Sequence, residues 1–260
     1  MRWFSLVLMA MLGIAPQVSA QSRSAPLQEP PASVLARARD VMGLARIGES
    51  VIHYRAVAAA EQNYQSDRTY PPFFSAMQVK ETWFDPRSGV ERIITQTTFP
   101  GGGPPAQITL TDAKRAFGLA KDQLRALPRS SIQSRYLSPW TVISDWMAAG
   151  DARIAGREQY RDYQRIVIAR TTSDGELRLF IDPKTGFPVK LDLQEKHYLW
   201  GQRHIEYVYT NWTQSGGVMA PGSSFLLADG KTEISETIGE VEIVPVSIAP
   251  SLSLSALTKR

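Results

Sequence analysis

From Glu176 to Pro245 apolar and polar residues alternate with hardly a break. Leu177, Leu179 and Ile181 fall on one side, with Arg178 and Phe180 on the other. Val189, Leu191 and Leu193 alternate with Lys190, Asp192 and Gln194, and Ile205, Tyr207 and Tyr209 with Glu206 and Thr210. A period of two sends successive side chains to opposite faces, so each run predicts a strand with one apolar face and one wet face. Asp182-Pro-Lys-Thr-Gly-Phe-Pro188 reads as a turn, because Pro183 presets φ and Gly186 accepts positive φ. Asp229-Gly230 opens a further strand. In Lys231 to Val244, Ile234 and Ile238 share one parity and Val241 and Ile243 the other, which predicts a bulge at Gly239. Four or five strands joined by short turns make an antiparallel meander.

Upstream the pattern is mixed. Ser33 as a cap and the stripe Val34, Leu35, Ala38, Val41, Met42 and Ala45 predict a helix from Val34 to Arg46, stopped by Gly48. Glu49 to Tyr64 and the run Met77, Val79, Glu81, Trp83 read as strands. Asp85-Pro-Arg-Ser-Gly89 echoes the later Asp182 turn. Ile108 to Leu110 reads as a strand, and Ala120 to Leu127 as a short helix ended by Pro128. Ser138-Pro139 starts a stronger helix that runs to Ala149 and stops at Gly150. Trp140, Ile143 and Met147 form one apolar stripe on it, Val142 and Trp146 a second. Such a helix is buried on two sides, or on one side with the other facing a cavity. Arg153 to Gly156 and Asp162 to Thr172 complete the strands. The fold class is mainly β (α+β), and the tail Ser247 to Arg260 is read as an edge strand or disordered.

The first twenty residues read as an export signal: Arg2, an apolar run from Phe4 to Ile14, and Val18-Ser19-Ala20 as a small-residue cleavage site. The expected organisation is a signal over residues 1–20, a Ser/Pro/Gln-rich linker over 21–32, one β-rich domain over 33–245 and a tail over 246–260. The chain has no cysteine, so it offers neither a disulfide framework nor an acylated-Cys anchor. These features place the mature protein in a bacterial periplasm. The net charge of +4 is spread without a Lys/Arg-rich run, which argues against nucleic acid as a partner and is compatible with peripheral contact with an anionic membrane.

Catalytic signals are weak. Phe99-Pro-Gly-Gly-Gly-Pro-Pro105 lacks the strand-before, helix-after context and the Lys-Ser/Thr of a phosphate loop. His53, His197 and His204 lack metal-ligand spacing. No Cys and no Gly-x-Ser-x-Gly is present to serve as a nucleophile. Asp182 reads as a turn former. No catalytic residue, metal or cofactor is expected.

The sequence resembles the LolA/LolB-like superfamily of bacterial outer-membrane lipoprotein-sorting proteins. The resemblance is carried by Leu177-Arg-Leu-Phe-Ile-Asp-Pro-Lys-Thr-Gly-Phe-Pro-Val-Lys-Leu191, Glu206-Tyr-Val-Tyr-Thr-Asn-Trp212 and Gly217-Val-Met-Ala-Pro221. It implies a curved antiparallel half-barrel with short helices on its concave face and a hydrophobic cavity for lipid chains. Trp140, Ile143, Trp146 and Met147, with Trp83 and Phe74, are the candidate ligand-binding residues. The function expected is that of a non-catalytic, monomeric periplasmic carrier of a lipid or lipoprotein acyl chain. A regulatory or protein-interaction module of the cell envelope, and a cofactor-free enzyme on the same fold, are the alternatives.

Overall fold

The computed structural model describes residues 29–61, 75–120, 123–128, 130–172, 175–197 and 201–252. The expected signal, most of the linker, the end of the tail, and Phe74 and Trp200 lie outside them. Thirteen antiparallel strands form one curved open sheet. They are β1 (Ser50–Glu61), β2 (Ser75–Asp85), β3 (Val90–Thr98), β4 (Gln107–Thr111), β5 (Ala116–Ala120), β6 (Gln123–Ala126) and β7 (Arg153–Tyr160). After these come β8 (Tyr163–Thr172), β9 (Gly175–Ile181), β10 (Pro188–His197), β11 (Gly201–Ser215), β12 (Val218–Ala228) and β13 (Lys231–Pro245). The helices are α1 (Pro31–Val41), α2 (Ser130–Gln133) and α3 (Pro139–Ala149), with single helical turns at Leu44–Arg46 and Ser134–Leu137.

The sheet order, β6-β5-β4-β3-β2-β1-β13-β12-β11-β10-β9-β8-β7, explains the architecture. One meander runs outward from β1 to the β6 edge, and the second runs inward from the β7 edge to β13. The chain must therefore pass from one edge of the sheet to the other between β6 and β7. That crossing carries α2 and α3 over one face, and α1, which precedes β1, packs beside α3. The covered face holds the core: Ile52 and Tyr54 of β1, Leu177 and Leu179 of β9, Leu191 and Leu193 of β10, and Tyr207 and Tyr209 of β11 are all buried there with the helices.

Two local expectations change. Helix α1 begins at Pro31, capped by the extended Pro30 rather than by Ser33, and ends at Val41, where Gly43 turns at φ 82° into the 3-10 turn. Pro at the first helical position gives up no hydrogen bond, which is why the start moves upstream. Residues Gln123–Ala126 form strand β6, not a helix, because pairing with β5 (Leu119 opposite Leu124) outweighs their helical propensity. The bulge falls as expected: Tyr54 and Ala56 face Val241 and Ile238, so β13 carries one extra residue beside Gly239. Both Asp-Pro-x-x-Gly turns close alike, Gly89 N–H donating to Asp85 O (2.9 Å) and Gly186 N–H to Asp182 O (2.8 Å). The tail residues described, 246–252, form no strand.

Candidate functional site

Helix α3 is apolar nearly all round, and the structure buries it on both expected sides. Its N-cap Ser138 makes no side-chain capping bond. Thr141 Oγ1 instead donates back to Arg135 O (2.6 Å) and Ser138 O (2.8 Å), tying the helix to the preceding turn. At the far end Gly150 takes φ 67° and its N–H donates to Trp146 O at 3.2 Å, a left-handed cap that suits glycine.

Trp140, Ile143 and Trp146 are all 0% exposed, but they are not equivalent. Trp140 lies edge-on to Tyr54 (centroids 5.4 Å apart) and its Nε1–H donates to Met219 O at 2.9 Å. Ile143 is sealed in the same core. Trp146 and the half-buried Met147 instead wall a narrow crevice between α3 and α1, whose other sides are Pro31, Ala32, Leu35, Gly150 and Ala152. Its volume is about 90 Å³. The Trp146 indole N–H finds no acceptor among the described residues.

Met147 also lines a far larger cleft, about 1170 Å³, at the other end of α1. This mouth lies between Arg39, Leu44 and Ile47, the two turns at Arg87–Gly89 and Asp112–Arg115, and Ser144, Asp145 and Ala148 of α3. Leu35 and Arg39 lie one turn apart on α1 and Met147 borders both cavities, so crevice and mouth are neighbours beside the same pair of helices. The mouth carries four cations. Arg115 is held by Asp112 (2.8 Å) and Arg87 by Asp85 (3.2 Å), while Arg39 and Lys114 have no carboxylate partner among the described residues. Glu49 and Asp145 are the other charges on its wall.

Beneath the mouth lies a buried ionic cluster. Arg135, 1% exposed, donates from Nη2 to Asp145 (3.1 Å) and Gly89 O (2.8 Å), and from Nη1 to Thr111 O and Oγ1 (both 2.9 Å). Glu91 Oε2 stands 3.9 Å from the same guanidinium. Burial pushes the Glu91 carboxyl up to about 7 against the pull of Arg135, and nearby Glu236 and Asp145 add to the rise. Burial likewise raises Asp145, with Arg135 opposing. Sequence reasoning passed over this cluster. One sign was available: Asp145 is the single charge in an otherwise uncharged helix. Arg135 and Glu91 carry no local pattern that joins them.

The other candidates separate from the groove. Register pairs Trp83 with His53, the two rings stacking at 4.7 Å, on the face of the sheet opposite Tyr54 and Trp140. His204 lies with Asp192 and Glu206 on that same outer face as the one group of possible metal ligands among the described residues. The Lys190 ammonium already stands between the carboxylates, 2.9 Å from Asp192 and 3.0 Å from Glu206, where it offsets part of their charge.

The architecture has counterparts among solved structures. A LolA superfamily protein from Nitrosomonas europaea is similar at a TM-score of 0.53 and 14% identity, over 82% of this chain and 93% of its own. A DUF1329 family protein from Desulfovibrio piger is similar at 0.51 and 9% identity, over 88% and 99%. No family model matches the sequence, and no curated protein is significantly similar to it. The chain has the LolA-like fold.

Proposed function

We propose that this protein is a non-catalytic carrier of an apolar, lipid-like ligand in the bacterial periplasm, and that the groove between α1 and α3 is where the ligand is held. The observation that carries this reading is the apposition, across Met147, of an apolar crevice walled by Trp146 and a wide cleft lined by charged residues of both signs. An amphiphile presents the matching pair of surfaces. Each methylene moved from water into such a crevice contributes roughly 0.8 kcal/mol before the cost of association. The crevice holds about as much volume as three waters. Loading therefore requires α1 and α3 to part, which suits a carrier that must also release its cargo. The likeness in fold to a LolA superfamily protein supports the same reading.

Native mass spectrometry on protein purified from its own envelope without detergent tests it. The expected spectrum carries a lipid-sized mass excess that organic extraction removes. A clean apo mass, together with no uptake of added lysophospholipid, would count decisively against the proposal.

A further inference from the structure

We propose that the width of the large cleft is set by one proton on Glu91: with the proton bound, Arg135 holds three walls of the cleft together, and with the proton lost that hold slackens and the cleft widens. As a control of loading this rests on the carrier reading; the movement itself does not. Three walls meet at one guanidinium. Arg135 donates to Asp145 of α3, to the Gly89 carbonyl in the turn between β2 and β3, and to the carbonyl and hydroxyl of Thr111, one residue before the Asp112–Arg115 turn. Gly89, Asp145 and the Asp112–Arg115 turn all line the cleft. The first two walls already touch, since a methyl placed on Gly89 would lie 3.3 Å from Asp145 Oδ1.

Glu91 competes for the same guanidinium. Its Oε2 stands 3.9 Å from Nη1, beyond hydrogen-bond reach, and 3.5 Å from the Thr111 hydroxyl, which itself accepts from Nη1. At that separation the guanidinium is committed to its other three partners. An ionised Glu91, 1% exposed, has no water to turn to and draws Arg135 to about 2.8 Å, the length of a charge-assisted bond. Glu91 lies at the Nη1 end and Asp145 and Gly89 at the Nη2 end, so a guanidinium drawn to the first is drawn off the other two. The groups around Glu91 set when this happens. Burial, Glu236 of β13 and Asp145 oppose its ionisation, Arg135 and Lys80 of β2 favour it, and the buried Tyr54 of β1 stays neutral. Lys80 is already taken by Glu236 at 2.6 Å. The opposing side prevails and the carboxyl is pushed up to about 7, so the walls are held below neutrality and released above it. Asp145, raised by burial and Asp112 and lowered by Arg135 and Arg170, is the other acid at this junction, and its own protonation would loosen α3 from the acid side.

The test is made on the ligand-free full chain. Nitroxides at Ala113→Cys and Ala148→Cys, exposed positions on two of the walls, report the width of the cleft by double electron–electron resonance in a protein that has no cysteine of its own. Between pH 6 and pH 8.5 the mean distance is expected to lengthen by at least about 1 Å, the travel of the guanidinium, with a midpoint near 7. Glu91→Gln in the same labelled chain is expected to keep the shorter distance at both pH values. A distance that does not change with pH overturns the inference, and so does a change that persists in Glu91→Gln. Should Glu91→Gln not fold, the midpoint with Glu91 in place decides, because a change centred below about 5 belongs to ordinary carboxylates and overturns the assignment. No lipid takes part, so an unmoved distance leaves the carrier reading standing, and a failure to take up lysophospholipid leaves this movement standing.

Discussion

Trp140 and Trp146 look interchangeable in the sequence and are equally hidden in the fold, so the partner of each N–H is what distinguishes them. Trp140→Phe removes ring volume and leaves the Met219 carbonyl without its donor, whereas Trp146→Phe removes similar volume and an N–H that bonded nothing. Urea unfolding of the ligand-free protein should show the first change costing more than the second by about 1 kcal/mol. Equal costs would mean that the Trp140 bond adds nothing. Glu91 supplies a second prediction at this scale. Its carboxyl ionises near 7 when folded against an ordinary value of 4.5. Between those values the folded chain holds a proton that the unfolded chain releases, so stability falls as pH rises from about 4.5 to 7, by up to about 3 kcal/mol. Asp145, also raised, acts in the same direction, while Asp112 and Asp182 are lowered and titrate below this window. Glu91→Gln should flatten the fall in unfolding free energy between pH 5 and 7.5, and an unchanged slope would place the titration elsewhere.

Arg135 shows how one side chain fixes the position of a whole element. It joins the turn before α3 to Thr111 of β4, to the Gly89 carbonyl at the β2–β3 turn, and to Asp145 within α3 itself. Arg135→Met would leave Asp145 and Glu91 buried without their cation, a loss of about 3–5 kcal/mol. Because Glu91 takes up a proton below about 7, that loss should be smaller at pH 6 than at pH 8, and melting temperatures at the two values measure it. The elements themselves were largely readable in the sequence. In β9 to β13 one face is packed and the other wet, so alternation identified the strands, and the parity change in β13 located its bulge. In β2 alternation identifies the strand but not which face is packed. Met77, Val79 and Trp83 face outward, Met77 and Val79 being about half exposed, while Ala76, Lys80 and Thr82 face the side that the helices cover and only Phe84 at the strand's end puts a large apolar side chain into the core. That side carries ions such as the Lys80–Glu236 pair, whose pairing across 156 positions no local pattern reveals. Trp83 was grouped with the helix tryptophans for its size, and only the register of β1 with β2 shows the sheet between them.

At the scale of the whole molecule, the crossing from the β6 edge to the β7 edge places α3 over a sheet that needs no helix for its own hydrogen bonding. The ladders of the sheet run between neighbouring strands and α3 is tied to it through Arg135 and Trp140, so α1 can shift against both without unpairing those ladders. Helix α1 is also joined to the sheet at its far end, where Met219 N–H donates to Met42 O at 3.1 Å, close to the turn at Gly43. A groove that opens to admit a chain is therefore expected to widen by α1 swinging about that end, with its first turn moving most. The absence of cysteine allows this to be measured cleanly. Nitroxide labels at Ser33→Cys, on the exposed side of that first turn, and Ala149→Cys, at the exposed end of α3, report the separation of the two helices by double electron–electron resonance. Adding ester-linked lysophosphatidylglycerol should lengthen the distance by several ångströms, the width of an acyl chain. A second label pair bridging Arg46→Cys and Ala149→Cys, nearer the anchored end, should lengthen less. Binding with neither distance changed would place the chain outside the groove, and equal lengthening of both would mean that the helix moves as a body rather than swinging.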